Sequence, residues 1–450
     1  VINTEHGVEG RPKVNFSATW TGNTLSNKID LMDAYEYVKF ASDLAAIKGT
    51  YNSYLTNDDN ETVYTVEDYR DARTYDWQDA IYRNSLTQNY NISLSGGNAK
   101  AGNRYNLSFS ALDQNGIIVK SNYQRYQGKI NFSQRIGKKV TVNAIANYSR
   151  AVTNGITPTD AQQSSSASGW LLYSVWGYRP ALPIKYASNS DEFMMSTRDD
   201  EIASADDYRF NPALTVRNEY RKTIVNYVNG NANIVWEIIP DLKLKIAGSY
   251  TLNNRRREEF NGTKTYTGFP NSPSGKGING SIGTTIREDW TNDNTLTWNK
   301  HVKGRHHISL MGGLSFSGEK LGFSGVSAQQ LSTEALGLNG LNTGEYQTVT
   351  PYQYDWTLMS VFGRINYNFR YKYYLTASMR ADGSSKFPKG NKWGYFPSGS
   401  VAWNFNREDW LKNVSWLRNG KLRLSWGMTG NNRTTTPYDF YAQMATLPGN

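Results

Sequence analysis

The stretch that decides the fold is YYLTASMRADGSSKF, residues 373–387. In an extended chain, apolar Leu375 and Met379 lie on one face, and polar Ser378 and Arg380 lie on the other. Strict alternation over this length predicts a half-buried β-strand. The apolar face of that strand must pack against either a protein core or a membrane.

The same alternation recurs along the whole chain and predicts about thirteen strands. Many of them reach the 9–11 residues that a tilted strand needs to cross a hydrocarbon layer, whereas strands of soluble proteins average five or six residues. The predicted strands span residues 13–19, 89–96, 104–114, 124–136, 139–152, 223–237, 242–258, 283–298, 305–316, 354–369, 373–382, 393–405 and 421–429.

The connections between the predicted strands alternate in length. The first (20–88) and fifth (153–222) are long, as are the seventh and ninth, whereas the fourth (137–138) and sixth (240–241) are short turns. The third and eleventh depart from this pattern because they are short, and the twelfth contains a predicted helix at 408–417. Long loops at one end and short turns at the other are typical of up-and-down outer-membrane barrels. We therefore predict that the apolar face meets lipid.

Aromatic residues and helices fit this prediction. Three helical stretches are expected in the long connections, at residues 30–47 with Asp30 as N-cap, at 66–77 and within 164–180. The aromatic residues near strand ends that we expect to lie at the membrane interfaces are Tyr148, Trp236, Tyr250, Trp298, Tyr367 and Trp403. Packing of these aromatics in a soluble β core is the alternative.

Composition excludes several other classes of protein. The 450 residues are 38% hydrophobic and contain no apolar run of about 18 residues, so no transmembrane helix is expected. Cysteine is absent, which excludes disulfides. The net charge of +10 is spread along the chain, which does not favour nucleic-acid binding. The first residues resemble no signal peptide and lack an initiator Met, so we expect the chain to be part of a longer protein.

Catalytic and metal-binding motifs have little support. His306 and His307 are adjacent on a predicted strand and therefore point to opposite faces, and we place His301 in the nearby turn. The sequence GKGING (275–280) matches a nucleotide-binding pattern but lies in a predicted loop, and NDDNE (57–61) is interpreted as an acidic turn. We expect no enzyme activity, no cofactor and no metal site.

Four stretches resemble the SusC/RagA-type TonB-dependent outer-membrane transporters. They are DWQDAIYRNSLTQNYNISLSGGN (76–98), LDQNGIIVKSNYQRYQGKINF (112–132), the long segment from LMSVFGRINYNF to NREDWL (358–411) and KLRLSWGMTGNN (421–432). The resemblance extends over nearly the whole chain.

The resemblance implies a multi-pass β-barrel of 22 strands in the outer membrane of a Gram-negative bacterium. Residues 1–12 would be the C-terminal end of the plug domain, and residues 13–450 a partial barrel. The signal peptide, the TonB box and most of the plug would precede this chain, and the remaining strands would follow it.

Two sets of candidate site residues follow. Charged side chains on the polar side of their strands would line the lumen: Lys129, Arg135, Lys243, Lys245, Arg364, Arg380 and Arg423. Residues in the long connections offer flat aromatic faces or a cation for substrate binding: Tyr51, Tyr54, Trp170, Tyr173, Trp176, Tyr178 and Arg179. Ion pairing with neighbours and packing within the loops are the respective alternatives.

The resemblance implies active import of a nutrient, with a glycan or oligosaccharide as the first candidate and a peptide as the next. A SusD-like surface lipoprotein and the TonB–ExbB–ExbD complex would be the partners. Two alternatives remain open from the residues alone: a passive porin or adhesion barrel, and a soluble β-rich carbohydrate-binding protein.

Overall fold

The strands of this protein run alternately up and down and lie side by side in sequence order. The computed structural model describes residues 10–57, 59–155, 171–189, 210–270, 274–411 and 418–441. Within these residues thirteen strands form one antiparallel sheet in which each strand pairs with the next, which confirms the predicted all-β architecture. The strands are β1 (Gly10–Asn23), β2 (Ser85–Asn98), β3 (Asn103–Asn115), β4 (Asn122–Ile136), β5 (Val140–Asn154), β6 (Tyr220–Ile239), β7 (Leu242–Asn261), β8 (Asn279–Val302), β9 (His306–Gln329), β10 (Tyr346–Phe369), β11 (Tyr373–Ser384), β12 (Trp393–Trp403) and β13 (Leu422–Gly427).

One face of this sheet is mostly apolar, although β8 carries Asn292 and Asn294 on that face. Phe16 of β1 pairs with Ile92 of β2, and Val401 of β12 pairs with Leu424 of β13, so the apolar positions are in register from one end to the other. Phe16 is 68% exposed and Leu424 is 72% exposed. Among the described residues no second sheet covers this face. Because a soluble two-layer fold would bury such a surface, the arrangement favours contact with lipid.

The apolar band has the thickness of an outer membrane. Trp290 and Trp298 lie on the apolar face of β8, eight residues apart, which is roughly 26 Å along the strand and roughly 20 Å across the membrane at a tilt of about 40°. Beyond these two aromatics the same face carries Glu288 at one end and Lys300 at the other. Tyr250 pairs with Trp290. The change from apolar to charged residues therefore occurs where the interfaces are expected.

Several strands are longer than predicted. β9 and β10 each contain 24 residues, whereas we expected strands at 305–316 and 354–369. Above the apolar band both faces of a strand meet water, so alternation no longer marks the strand. The seventh and ninth connections are correspondingly shorter than predicted, at 262–278 and 330–345.

Helix α1 (Ala34–Lys48) confirms the first predicted helix but begins later than expected. Asp33, not Asp30, is the N-cap, because its carboxylate accepts a hydrogen bond of 2.8 Å from the backbone N–H of Glu36. The Glu36 carboxylate in turn accepts from the backbone N–H of Asp33 at 3.1 Å, which completes a capping box. The helix ends at Gly49, whose φ of 65° suits a glycine.

The other helices are short: α2 (Trp77–Ile81), α3 (Leu171–Gly177) and α4 (Pro212–Asn218). The helix predicted at 66–77 is wrong, because that stretch forms only a 3-10 turn, Val66–Tyr69, before α2 begins. α3 confirms the helix predicted within 164–180, although residues 156–170 lie outside the described part. No helix among the described residues is long and apolar enough to cross a membrane.

Two further helical stretches differ from the sequence prediction, α4 and the stretch at 408–417. α4 was not predicted, although Asn211 followed by a proline is a helix-start signal, and the Asn211 side chain accepts from the backbone N–H groups of Ala213 and Leu214. The helix predicted at 408–417 is only partly described. Phe405–Arg407 form a 3-10 turn just before it, and residues 412–417 lie outside the described part.

The long connections pack together at one end of the sheet. Their buried side chains, together with Ile118 of the short third connection, form two clusters that we jointly define as the loop core: Ala34, Tyr37, Val38, Tyr54, Tyr69, Trp77, Ile81, Ile118, Leu171, Val175, Tyr178, Ala181, Ala213 and Val216. Tyr69 joins three segments, since its hydroxyl donates to the carbonyl of Tyr54 at 2.6 Å and accepts from the N–H of Ile184 at 2.9 Å.

Glu408 holds together the short-turn end of β11 and β12. Its carboxylate accepts hydrogen bonds from the Tyr373 hydroxyl at 2.7 Å, from the Trp403 indole N–H at 3.0 Å and from the Lys372 ammonium at 3.0 Å. These three donors, with Tyr373 first, lower the pKa of Glu408 to about 2.

Candidate functional site

A recess of about 810 Å³ opens within the cluster of long connections. We call it the loop recess. It lies between residues 28–33, helix α1, the start of α2 and the end of α3. The apolar and aromatic side chains in its wall include Ile29, Met32, Phe40, Tyr75, Trp77 and Trp176. Its volume lies within the range of small-molecule binding sites.

Trp77 is the centre of the aromatic wall. Its ring stacks on Tyr75, with centroids 6.4 Å apart, and meets Tyr178 edge to face at 5.1 Å. Its indole N–H donates to the carbonyl of Arg179 at 2.8 Å, which fixes the ring in the fold. Trp176 lines the same recess but remains 43% exposed. The wall thus combines a rigid buried aromatic group with an accessible one.

Charged residues fix one rim of the recess. The Lys28 ammonium lies 2.8 Å from Asp76 and 2.5 Å from Asp79. Hydrogen bonds to Asp76 and then Asp79 raise the pKa of Lys28. Burial of Asp76 acts to raise its pKa, but the hydrogen bonds from Lys28 and the backbone N–H groups of α2 outweigh this and hold it below its ordinary value. Both side chains are therefore charged at neutral pH.

The loop residues that we predicted for substrate binding do not all lie in the recess. Trp176 and Tyr178 line the recess. Tyr54 is 1% exposed and Arg179 is 6% exposed, so loop packing accounts for these two side chains. Tyr51 is 81% exposed and lies outside the recess, Tyr173 is half-buried, and Trp170 lies outside the described residues.

Sequence reasoning missed several residues of the recess. Tyr37, Phe40 and Leu44 follow each other at helical spacing on α1 and face this space. That spacing is a usable signal for one helix face, but it does not say what the face contacts. The sequence predicted Trp77 to lie in a helix. Its place in the wall of the recess depends on contacts between the first and fifth connections, which local spacing does not reveal.

The predicted lumen-facing cations share the polar face of the sheet. All seven, Lys129, Arg135, Lys243, Lys245, Arg364, Arg380 and Arg423, occupy strand positions opposite in parity to the apolar residues. Arg380 pairs with Asp382 at 2.8 Å and donates to the Ser360 hydroxyl at 2.8 Å. In the described part of the chain the other six make no ion pair within 4.0 Å.

Comparison with known proteins agrees with this architecture. No protein-family model matches the chain. The solved structure of the RagAB peptide transporter superposes with a TM-score of 0.71 at 20% identity, over 97% of this chain and 49% of that one. The chain is 27% identical to TonB-dependent receptor P3 of Formosa agariphila over 99% of its length, and 26% identical to TonB-dependent receptor SusC of Bacteroides thetaiotaomicron over 96%.

The chain is similar in sequence and in fold to TonB-dependent receptors of the SusC/RagA type. It spans 41% of the length of the Formosa relative and 40% of the length of SusC. The stretches that carried the resemblance in the sequence lie in strands β2–β4 and β10–β13, together with the connections beside them.

One histidine lies elsewhere than the sequence predicted. His301 does not lie in a turn but in β8, directly opposite His307 of β9. His306 and His307 do lie on opposite faces, as predicted. His306 is on the apolar side, where its Nδ1 is 2.8 Å from the Tyr367 hydroxyl.

Proposed function

We propose that the full-length receptor imports a nutrient across the outer membrane of a Gram-negative bacterium and that the loop recess is where the solute first binds. One observation carries the proposal. The loop recess lies among the long connections, at one end of a sheet that has one apolar face and one polar face. The polar-face cations would then line the path of the solute. The chain supplies binding and positioning, and no covalent step is required.

A glycan or oligosaccharide is the first candidate for the solute. Trp176 presents an accessible flat apolar surface, which suits the apolar face of a sugar ring, and the rim carboxylates can accept hydrogen bonds from hydroxyl groups. A peptide is the alternative, because an apolar recess with Lys28 and Asp76 at its rim also suits side chains and charged termini. The RagAB peptide transporter, on which the chain superposes, supports the peptide candidate.

The proposed partners follow from the family. A SusD-like surface lipoprotein would assist at the loop end, and the TonB–ExbB–ExbD complex would supply energy from the proton-motive force. The recess lies among long connections, which are the loops that outer-membrane barrels expose on the outside.

Deletion of the gene tests the proposal first. We expect growth on at least one oligosaccharide or peptide source to fall, and unimpaired growth on every such source contradicts import. A passive porin predicts uptake that continues after the TonB complex is inactivated, whereas active import predicts its loss.

Paired variants of the full-length receptor then test the recess. Replacing Trp176 by Ala removes the accessible aromatic wall and should weaken solute binding by roughly 2- to 10-fold, the equivalent of an aromatic contact of about 0.5–1.5 kcal/mol. Tyr51→Ala is the matched control, because Tyr51 is exposed outside the recess. Equal effects of the two variants on the uptake of labelled solute would reject the recess as the binding site.

A further inference from the structure

An unassigned pair of histidines lies at the turn end of the β8–β9 hairpin, on the polar face of the sheet. His301 and His307 are direct cross-strand partners. Their rings meet edge to face with centroids 4.3 Å apart, and the two Nδ1 atoms are in hydrogen-bonding contact. At most one hydrogen fits between these two nitrogens, so at least one lone pair is directed at the neighbouring ring.

We propose that His301 and His307 form a site for a divalent transition-metal ion, bound through the two Nδ1 atoms. Directly opposed residues of an antiparallel pair have Cβ atoms about 4.5–5.5 Å apart. An imidazole nitrogen lies about 2.0–2.1 Å from a bound zinc ion, so an ion between the rings requires only a small rotation to separate the nitrogens. His301 is exposed and has room for this rotation.

Two asparagines lie beside the pair, of which Asn368 already accepts a hydrogen bond at its Oδ1 from the backbone N–H of Tyr371 at 2.7 Å. Asn368 pairs with His307 on its other side, and Asn299 and Asn368 line the same recess of about 390 Å³ as the two histidines. The described residues hold no cluster of three or more His, Cys, Asp or Glu side chains suited to a metal. The protein ligands are therefore two imidazoles, and the other positions fall to water or amide oxygens.

This ligand set selects among metals. Imidazole suits Zn²⁺, Cu²⁺ and Ni²⁺, whereas Ca²⁺ and Mg²⁺ prefer oxygen ligands. Cu²⁺ should bind more tightly than Zn²⁺, as the general order of divalent affinities requires. The neighbouring Lys300 lies on the opposite face of β8, where its ammonium is 3.4 Å from Asp241.

The test uses the full-length receptor without a polyhistidine tag. Cu²⁺ and Zn²⁺ are titrated by calorimetry, and the electron paramagnetic resonance spectrum of bound Cu²⁺ counts its nitrogen ligands. We expect one ion with two nitrogen ligands at this site. His301→Gln and His307→Gln should each lower the affinity by at least about tenfold and remove one nitrogen coupling from the spectrum.

His306→Gln is the matched control, because His306 is adjacent in sequence but lies on the apolar face beside Tyr367. This variant should leave both affinity and spectrum unchanged. The proposal is overturned if the wild-type receptor binds no Cu²⁺, if His307→Gln keeps the two-nitrogen spectrum, or if His306→Gln loses as much affinity as the other two. Heat-modifiable migration in electrophoresis confirms that each variant is folded. The outcome is independent of which solute the receptor imports.

Discussion

Replacing Met379 by Arg tests whether the apolar face lies against lipid. Met379 is 45% exposed on that face. It lies six residues beyond Tyr373 in β11, which is roughly 20 Å along the strand and roughly 15 Å across a membrane at a tilt of about 40°. That depth is near the middle of an apolar band about 25 Å tall. Arg at this depth should destabilise the folded barrel by about 2–4 kcal/mol, or roughly 30- to 900-fold in the folding equilibrium.

The control is Thr376→Arg on the polar face of the same strand. Thr376 donates to the Asn366 side chain at 3.0 Å, so its loss should cost about 0.5–1.5 kcal/mol. Both variants are made in the full-length receptor, which is refolded into phosphatidylcholine liposomes and unfolded with urea, with tryptophan fluorescence and heat-modifiable migration as readouts. If Met379→Arg costs no more than Thr376→Arg, the assignment of the two faces is wrong.

Three further changes probe other parts of the fold. Gly313→Ala would place a Cβ 2.5 Å from the ring of Phe362 and should destabilise by about 1–3 kcal/mol, whereas Gly312→Ala meets nothing within 4 Å and should stay within about 0.5 kcal/mol in the same urea assay. The pKa of Glu408 is lowered in the folded state, so the stabilisation that this carboxylate provides is full above the ordinary glutamate pKa and is lost as pH falls toward 2. The difference in urea midpoint between wild type and Glu408→Gln should therefore shrink as pH falls through this window. A difference that stays constant with pH would contradict this prediction. Tyr69→Phe removes both hydrogen bonds of that hydroxyl and should loosen the loop core by about 1–3 kcal/mol, seen as faster amide hydrogen exchange there but not in the strands.

The strands could be predicted where they cross the membrane, whereas the outer ends of β9 and β10 could not. In β11, the alternation of Leu375 and Met379 with Ser378 is imposed by lipid on one side and water on the other. Beyond Phe316 no such contrast acts on β9, so residues 317–329 resemble a loop in sequence. The hydrogen-bond ladder, which depends on neighbouring strands, decides where the strand ends.

The start of helix α1 and the lining of the recess depend on contacts that the alternation of apolar and polar residues does not reveal. Asp33 is followed three residues later by Glu36, a capping-box spacing that Asp30 lacks, and the reciprocal bond with Glu36 places the N-cap at Asp33. Trp176 was predicted as an accessible aromatic and lines the recess, whereas Tyr54, of similar chemistry, is buried under Ala181. Side chains separated by more than one hundred residues make these choices, and local spacing carries no information about them.

The cross-strand histidines show the same limit at a finer scale. His301 was assigned to a turn because the predicted β8 ended at residue 298, three residues too early to include it. A strand boundary error of this size hid a direct pairing with His307.

The length of β8, β9 and β10 has a consequence for anything that approaches from outside the cell. Strands of 24 residues rise roughly 58 Å at a tilt of about 40°, of which the lipid band occupies about 25 Å. The sheet therefore forms a rigid tower that lifts this part of its rim roughly 30 Å clear of the bilayer. A lipid-anchored protein that docks on that rim would need a tether of about nine or ten extended residues between its acyl chains and its folded domain.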